Sequence, residues 1–189
     1  RQGKYGIGSV INDNREVAQE NYTKIHHNYF SDRIFVGNYV DQNNDQDAIR
    51  IGNSSTSLSD SYTEVYDNLF NNWAGEIEVI SNKSGHNKYY NNTFRDYSGS
   101  LTLRHGNNCE VFNNFFFANN KEFSGGIRVV GENHTIYNNY FEAVNSTKSS
   151  AAGGGTSSNL GGINIIKGRL NTPLNGYYQV KQLTVVNNT

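Results

Sequence analysis

Short runs in which apolar and polar residues alternate recur along the chain: Glu64-Val65-Tyr66, Lys88-Tyr89-Tyr90, Glu110-Val111-Phe112, Thr135-Ile136-Tyr137 and Thr184-Val185-Val186. A period of two, carried by β-branched and aromatic residues, predicts strands rather than helix turns. Runs of this kind lead into phrases such as Asp67-Asn68-Leu69-Phe70, Asn91-Asn92-Thr93-Phe94, Asn113-Asn114-Phe115-Phe116 and Asn138-Asn139-Tyr140-Phe141, with His27-Asn28-Tyr29-Phe30 and Asn187-Asn188-Thr189 as outer copies. The second Asn falls at 68, 92, 114 and 139, in steps of 24, 22 and 25 residues, about one coil of a parallel β-helix. Asn recurring at equivalent corners predicts a ladder of side-chain amides bonded coil to coil, and Asn also tolerates the left-handed backbone of a tight turn.

A second strand recurs downstream in each coil: Ala48–Gly52, Glu76–Ile80, Ser100–Arg104, Gly126–Val130 and Gly162–Ile166. Aligned on the first apolar residue, Ile49, Ile77, Leu101, Ile127 and Ile163 form one inward column and Ile51, Val79, Leu103, Val129 and Ile165 another. Alternation then sends Arg50, Glu78, Thr102, Arg128 and Asn164 outward, with Glu76 and Arg104 at flanking outward positions. The expectation is an all-β fold, a right-handed parallel β-helix, as one domain over residues 1–189. Two segments fall outside the pattern and are expected to stay out of the core: the polar loop at 41–47 and the Ser/Gly/Ala-rich stretch at 145–162, a surface insertion.

Composition changes this picture little. Hydrophobic residues make up only 35% of the chain, which alone argues against a core, but 13% aromatic residues and the repeat argue for one. With 16 Lys+Arg against 17 Asp+Glu, the balance gives no general reason to expect nucleic acid or a membrane as partner. Cys109 is the single cysteine, so no intrachain disulfide forms, and its setting beside a core strand predicts a buried, inert thiol. No stretch approaches the ~20 apolar residues of a membrane helix. The chain has no methionine, opens on Arg1 and closes on what reads as a repeat edge, and is expected to be an incomplete fragment of a larger catalytic domain.

The candidate chemistry lies on the outward face. Glu76 and Glu78 project in parallel, and two like charges so close need a cation or a basic side chain between them. Hard oxygen ligands suit Ca²⁺, with the acidic loop at 43–47 as a source of a third ligand. A salt bridge to Arg50, Arg104 or Arg128 is the structural alternative. Lys83 is expected just beyond the strand, where a turn folds its amine back over the face. Beside a cation and arginines its ammonium is disfavoured, which makes a neutral general base accessible. The alternative for Asn82-Lys83-Ser84 is a solvated turn.

The sequence Lys24-Ile-His-His-Asn-Tyr-Phe30, Ile49-Arg-Ile-Gly52, Glu76-Ile-Glu-Val-Ile-Ser-Asn-Lys-Ser84 and Leu101-Thr-Leu-Arg-His-Gly106 resembles polysaccharide lyase family 6, the family of alginate lyases and chondroitinase B, over roughly residues 22–142. The resemblance implies calcium-assisted β-elimination on a uronic-acid polysaccharide, most of all alginate, by a secreted or periplasmic bacterial enzyme. It implies Glu76, Glu78 and Asn44 as calcium ligands and Lys83 as the base that removes the C5 proton. Arg104 then protonates or stabilises the leaving oxygen, Arg128 binds a substrate carboxylate, and His105 contacts substrate. The loop before Ile49 departs from the family pattern, which leaves Asn43 and Asp45 as alternatives for the third ligand. Arginine, with a pKa above about 12, donates a proton only uphill, so Arg104 acts through water or mainly by hydrogen bonding. The runner-up readings are a chondroitinase B-like lyase on dermatan sulfate and a non-catalytic β-helix that binds an acidic glycan; a purely structural solenoid leaves the charged column without a role.

Overall fold

The computed structural model describes residues 7–10, 20–34, 46–146 and 161–189, with residues 7–10 and Glu76 as backbone. Strands dominate, and the one helical element described is a 3-10 turn at Ser54–Thr56. Every strand pairing is parallel, and the chain winds through three sheets once per coil. The first sheet stacks β2 (Lys24–His26), β5 (Glu64–Tyr66), β7 (Lys88–Tyr90), β10 (Glu110–Phe112), β13 (Thr135–Tyr137) and β16 (Thr184–Val186). These contain the alternating runs expected from the sequence. The second sheet holds β3 (Tyr29–Arg33), the first part of β6 (Leu69–Lys83), β8 (Thr93–Arg95), β11 (Phe115–Phe117) and β14 (Tyr140–Glu142). The third holds β1 (Ile7–Val10), β4 (Ile49–Gly52), the rest of β6, β9 (Ser98–His105), β12 (Ser124–Val129) and β15 (Ile163–Ile165).

Asparagine turns the chain between the first and second sheets. Nδ2 of Asn28, Asn68, Asn92, Asn114 and Asn139 donates to Oδ1 of the next rung, ending on Asn188, at 2.9–3.0 Å. The same Oδ1 accepts the backbone N–H of the rung below, as in Asn92 N to Asn114 Oδ1 at 3.0 Å. The left-handed residue is not the ladder Asn but its predecessor: His27, Asp67, Asn91, Asn113, Asn138 and Asn187 have φ between 52° and 56°. Polar residues at this preceding position accept that backbone because their short side chains bond locally.

Inside the coil each sheet contributes a column of identical chemistry. Phe30, Phe70, Phe94, Phe116 and Phe141 stack with ring centroids 4.6–4.9 Å apart. That spacing is the strand separation, so each ring meets its copy in the next coil. Ile25, Val65, Tyr89, Val111 and Ile136 line the first sheet, and Ile49, Ile51, Ile80, Leu101, Leu103, Ile127 and Val129 the third, all buried. Cys109 is a free thiol with no exposed surface, pushed up to about 12 by burial, so it is inert as expected.

In the third sheet the register of the second coil differs from the sequence alignment by three residues. Ile80, not Ile77, faces Ile49 and Leu101, and Asn82 faces Ile51 and Leu103. The cause is a wide irregularity in β6. Gly75, Glu76 and Ile77 oppose the single Gly99, and Val79 has no counterpart in β9. Gly75 permits it, since a Cβ there would meet the Glu78 carbonyl oxygen at 2.6 Å. The outward column is therefore Arg50, Ser81, Thr102, Arg128 and Asn164, and Glu78 stands beside it rather than in it. Asn82 takes a core position and is wholly buried, with Tyr89 OH and Asn87 Nδ2 donating to its Oδ1 at 2.6 and 2.7 Å.

The polar loop is likewise less peripheral than its composition implies: Gln46 and Asp47, at its end, are buried. Residues 147–160 of the expected insertion lie outside the described residues, and Asn145 before them bridges to Glu122.

Candidate active site

Two departures from regular pairing shape the outer face of β6, β9 and β12. The first is the irregularity just described, which takes Glu76 and Ile77 out of the ladder and sets Glu78 opposite Ser100. Bulges of this kind re-aim side chains beside functional sites. The second lies one turn on, where Lys83 pairs with His105 while Asn82 pairs with Leu103, so Arg104 and His105 together oppose Lys83. Lys83 is thus the last residue of β6, within the sheet and not in a turn beyond it. The chain leaves β9 through Gly106, at φ +88°, where a Cβ would collide with the backbone of Ser84. Only glycine fits that approach.

Glu78 is buried and its Oε1 lies 3.3 Å from Nη1 of Arg128, itself 3% exposed. This is one of the three salt bridges weighed from the sequence. Arg50 is committed elsewhere, to Asp47, with Nη2 at 2.6 Å and Nε at 2.8 Å from Oδ2. Burial first, and the negative charge of Glu78 second, raise the Asp47 carboxyl to about 8 against the pull of Arg50.

Lys83 is half-buried, and that burial is the main force holding its ammonium below the ordinary lysine range. Glu78 and Asp47 oppose the shift, and Arg50 and Arg104 reinforce it. Burial likewise lowers Arg104, helped by Arg128 and resisted by Tyr177 and Glu78. His105 is 2% exposed, and burial followed by the charges of Arg104, Lys83 and Arg128 lowers it to about 3, so its ring is neutral near pH 7. Neither of its ring nitrogens has a hydrogen-bond partner, nor do Nη1 of Arg104, Nε of Arg128 and Oγ of Ser81, all buried. Unsatisfied donors gathered on one face are what a polyanionic ligand supplies with acceptors.

Lys83, Arg104, His105, Arg128 and Glu78 therefore come together. Glu76 reaches the same irregularity through its backbone, and Asn44, Asn43 and Asp45 lie outside the described residues. Among the described residues no group of three or more His, Cys, Asp or Glu side chains gathers for a metal. The oxygen donors present, Glu78 and Asp47, are hard ligands whose mutual repulsion a divalent cation relieves, which fits calcium better than a soft metal.

The sequence reading missed Tyr177. It follows the expected insertion, in a segment with no periodic signal, and covers the site from outside. Its ring centroid is 3.9 Å from the guanidinium carbon of Arg104 and 5.1 Å from that of Arg128, whose Nη2 donates to the phenol oxygen at 3.0 Å. Nothing in the residues around it marks it out; only the return of the chain brings it there.

The chain matches the family model "Chondroitinase B" over residues 2–189, more than the stretch whose motifs carry the resemblance. Among solved structures it is similar to the family 6 alginate lyase AlyGC, at 40% identity and TM-score 0.75, over 90% of this chain and 21% of that one. It is also similar to a mannuronic acid specific family 6 lyase from human gut microbiota, at 29% identity and TM-score 0.80, over 98% of this chain and 39% of that one. A third is the alginate lyase AlyF-OU02 in complex with G6, at 30% identity and TM-score 0.70, over 89% and 39%. The chain thus spans about a fifth to two fifths of these relatives' length. No curated protein matches. A model matched along nearly the whole chain, together with a shared fold, is decisive: the chain belongs to the chondroitinase B family, the family 6 polysaccharide lyases.

Proposed function

We propose that the full-length protein cleaves a uronic-acid polysaccharide by β-elimination, with alginate as substrate, outside the cytoplasm of a bacterium. The observation that carries this reading is the pairing of Lys83 with the Arg104-His105 bulge on one face, where burial disfavours the lysine ammonium. A neutral amine there takes the C5 proton of a uronate. The Nη1 of Arg104 has no partner and hydrogen-bonds the leaving glycosidic oxygen as negative charge grows on it. Arg128 presents its unpartnered Nε to a substrate carboxylate, while neutral His105 contacts the sugar as a hydrogen-bonding ring.

Glu78, Glu76 and Asn44 would hold a calcium ion, with Asp47 as a further oxygen donor. Such an ion supplies charge to a uronate carboxylate and eases the build-up of negative charge when C5 is deprotonated. The names of three similar structures, which concern alginate or mannuronic acid, favour alginate. The description of the family model keeps dermatan sulfate as the second reading.

Digesting alginate and dermatan sulfate side by side, with calcium, and following the ultraviolet absorbance of the unsaturated product decides both points. Product from alginate that disappears in Lys83→Ala supports the reading. No product from either polymer, or full activity in Lys83→Ala, overturns it.

A further inference from the structure

We propose that Asn82 is a positioning residue for the reaction. From inside the coil, its side-chain amide ties the backbone next to Lys83 to the backbone of the Arg104-His105 bulge, and so fixes the lysine amine relative to the arginine. This rests on the β-elimination reading, in which those two groups act on the same uronate.

The inward column marks the residue out. Asn82 faces Ile51 on β4 and Leu103 on β9, and the column continues through Val129 and Ile165. Its neighbours in register are thus aliphatic, and the amide falls in the coil that carries Lys83. An amide in place of an isoleucine gives up apolar burial and obliges the fold to satisfy two donors and two lone pairs. Departures of this kind from the local pattern gather at functional sites.

The fold satisfies all four. Nδ2 of Asn82 donates to the Ser84 carbonyl at 2.9 Å and to the His105 carbonyl at 2.8 Å. Its Oδ1 accepts from Tyr89 OH at 2.6 Å and from Asn87 Nδ2 at 2.7 Å. Ser84 follows Lys83 directly and His105 is paired with it, so the two carbonyls belong to the two segments whose side chains act together. Asn87 also holds Ser84, with Nδ2 at 2.9 Å from its Oγ. A bulge disrupts the strand ladder locally, and the amide ties the strands at that point. Asn82, Ser84, Asn87 and Tyr89 have no exposed surface, so the amide works from beneath the face and touches no substrate. Displacing a catalytic group by about 1 Å costs about 10²-fold in rate.

Steady-state kinetics of the full-length protein on alginate test this. Asn82→Leu removes the amide at nearly constant volume, and circular dichroism and thermal unfolding show whether it folds. The expected result is a kcat loss of about 10²-fold with KM changed less than about 3-fold. In a Lys83→Ala background the same replacement should cost less than about 3-fold, since an amide that acts through the lysine has nothing left to place. Asn114→Ala, which removes a buried amide between the first and second sheets, controls for general destabilisation and should keep kcat within about 3-fold below its melting temperature. An unchanged kcat in Asn82→Leu, a loss carried by KM, an equal loss in the Lys83→Ala background, or an equal loss in Asn114→Ala overturns the proposal and leaves the lysine reading standing. If Asn82→Leu does not fold, Tyr89→Phe decides. It keeps the ring and removes only the 2.6 Å bond to Asn82 Oδ1, and should lower kcat by about 3- to 10-fold at constant KM, the worth of one neutral hydrogen bond. An unchanged kcat there overturns the proposal. If the wild type makes no unsaturated product, or Lys83→Ala is fully active, both readings fail together.

Discussion

Nη1 of Arg128 on β12 lies 3.3 Å from Oε1 of Glu78 on β6, reaching past the intervening strand β9. The irregularity in β6 sets Glu78 opposite Ser100, outside the column of Ser81, Thr102 and Arg128 in which the alternation would have placed it. Both groups are almost fully buried, so neither is stable alone there.

Arg128→Ala therefore leaves Glu78 buried without its partner and should lower the unfolding free energy by about 3–5 kcal/mol, read from urea denaturation. The double replacement Glu78→Gln with Arg128→Met should recover much of that stability while removing activity. A double variant as unstable as Arg128→Ala would show that the ion pair is not the origin of the loss.

Lys83 works as a base only when neutral. Because burial holds its ammonium below the ordinary lysine range, kcat/KM should rise with pH and level off below that range. Lys83→Ala should lower kcat by about 10²–10⁴-fold. A profile that rises only near pH 10.4, the ordinary lysine value, would mean that burial does not tune this amine.

Calcium binding has a readout independent of catalysis. If Glu78 belongs to the ion's ligands, adding calcium to chelator-treated protein should raise the melting temperature, because a ligand that binds only the folded state stabilises it. Glu78→Gln should abolish the rise. An unchanged melting temperature in the wild type would remove the calcium assignment.

The asparagine ladder should be least sensitive to loss of a rung at its exposed end. Asn114 donates to Asn139 Oδ1, Phe112 O and Tyr89 O and accepts from Asn92, all within 3.0 Å, in buried surroundings. Asn114→Ala strands several of these groups and should cost about 3 kcal/mol or more. Asn28→Ala, at the exposed first rung, should cost about 1 kcal/mol. Equal losses by urea denaturation would mean that the rungs do not act through burial.

Acid should unfold the protein through His134. Its Nδ1 accepts the Cys109 N–H at 3.1 Å and its Nε2 lies 3.0 Å from the Val130 carbonyl, so the neutral tautomer carries its proton on Nε2. Burial lowers its pKa to about 4. Between pH 4 and 6.5 the unfolded chain binds more protons than the folded one, so stability falls as pH falls through that window, by up to about 1.4 kcal/mol per pH unit for this group. His134→Asn, which keeps an acceptor that does not titrate, should flatten the slope measured by urea denaturation at successive pH values.

The solenoid was legible because each coil repeats the same local instructions. Val65, Tyr89, Val111 and Ile136 alternate with polar neighbours, and the Asn two residues after each strand ends the run. The site was legible in part. Arg104 and Arg128 were placed on the outer face by alternation, whereas Lys83 was expected in a turn beyond the strand and instead ends β6, paired with the Arg104-His105 bulge. The irregular coil was not legible, because alternation carries no mark of an inserted residue: Ile77 and Ile80 are equally apolar, and aligning either gives a plausible column. The second sheet was also hidden, since the strands that carry Phe94 and Phe116 are three residues long and read as part of the corner.

What the sequence by itself determined is the repeat, the parallel β-helix and the residue types on its charged face, since these follow from periods of two and of about two dozen residues. Tertiary structure alone decided which of those residues meet. The insertion around Gly75 displaces Glu78 onto Arg128, and the Arg104-His105 bulge sets both residues against Lys83. The returning segment at 161–189 lays Tyr177 on Arg104. Each of these depends on backbone paths between distant residues, where a contact is set by packing and close approach rather than by local periodicity.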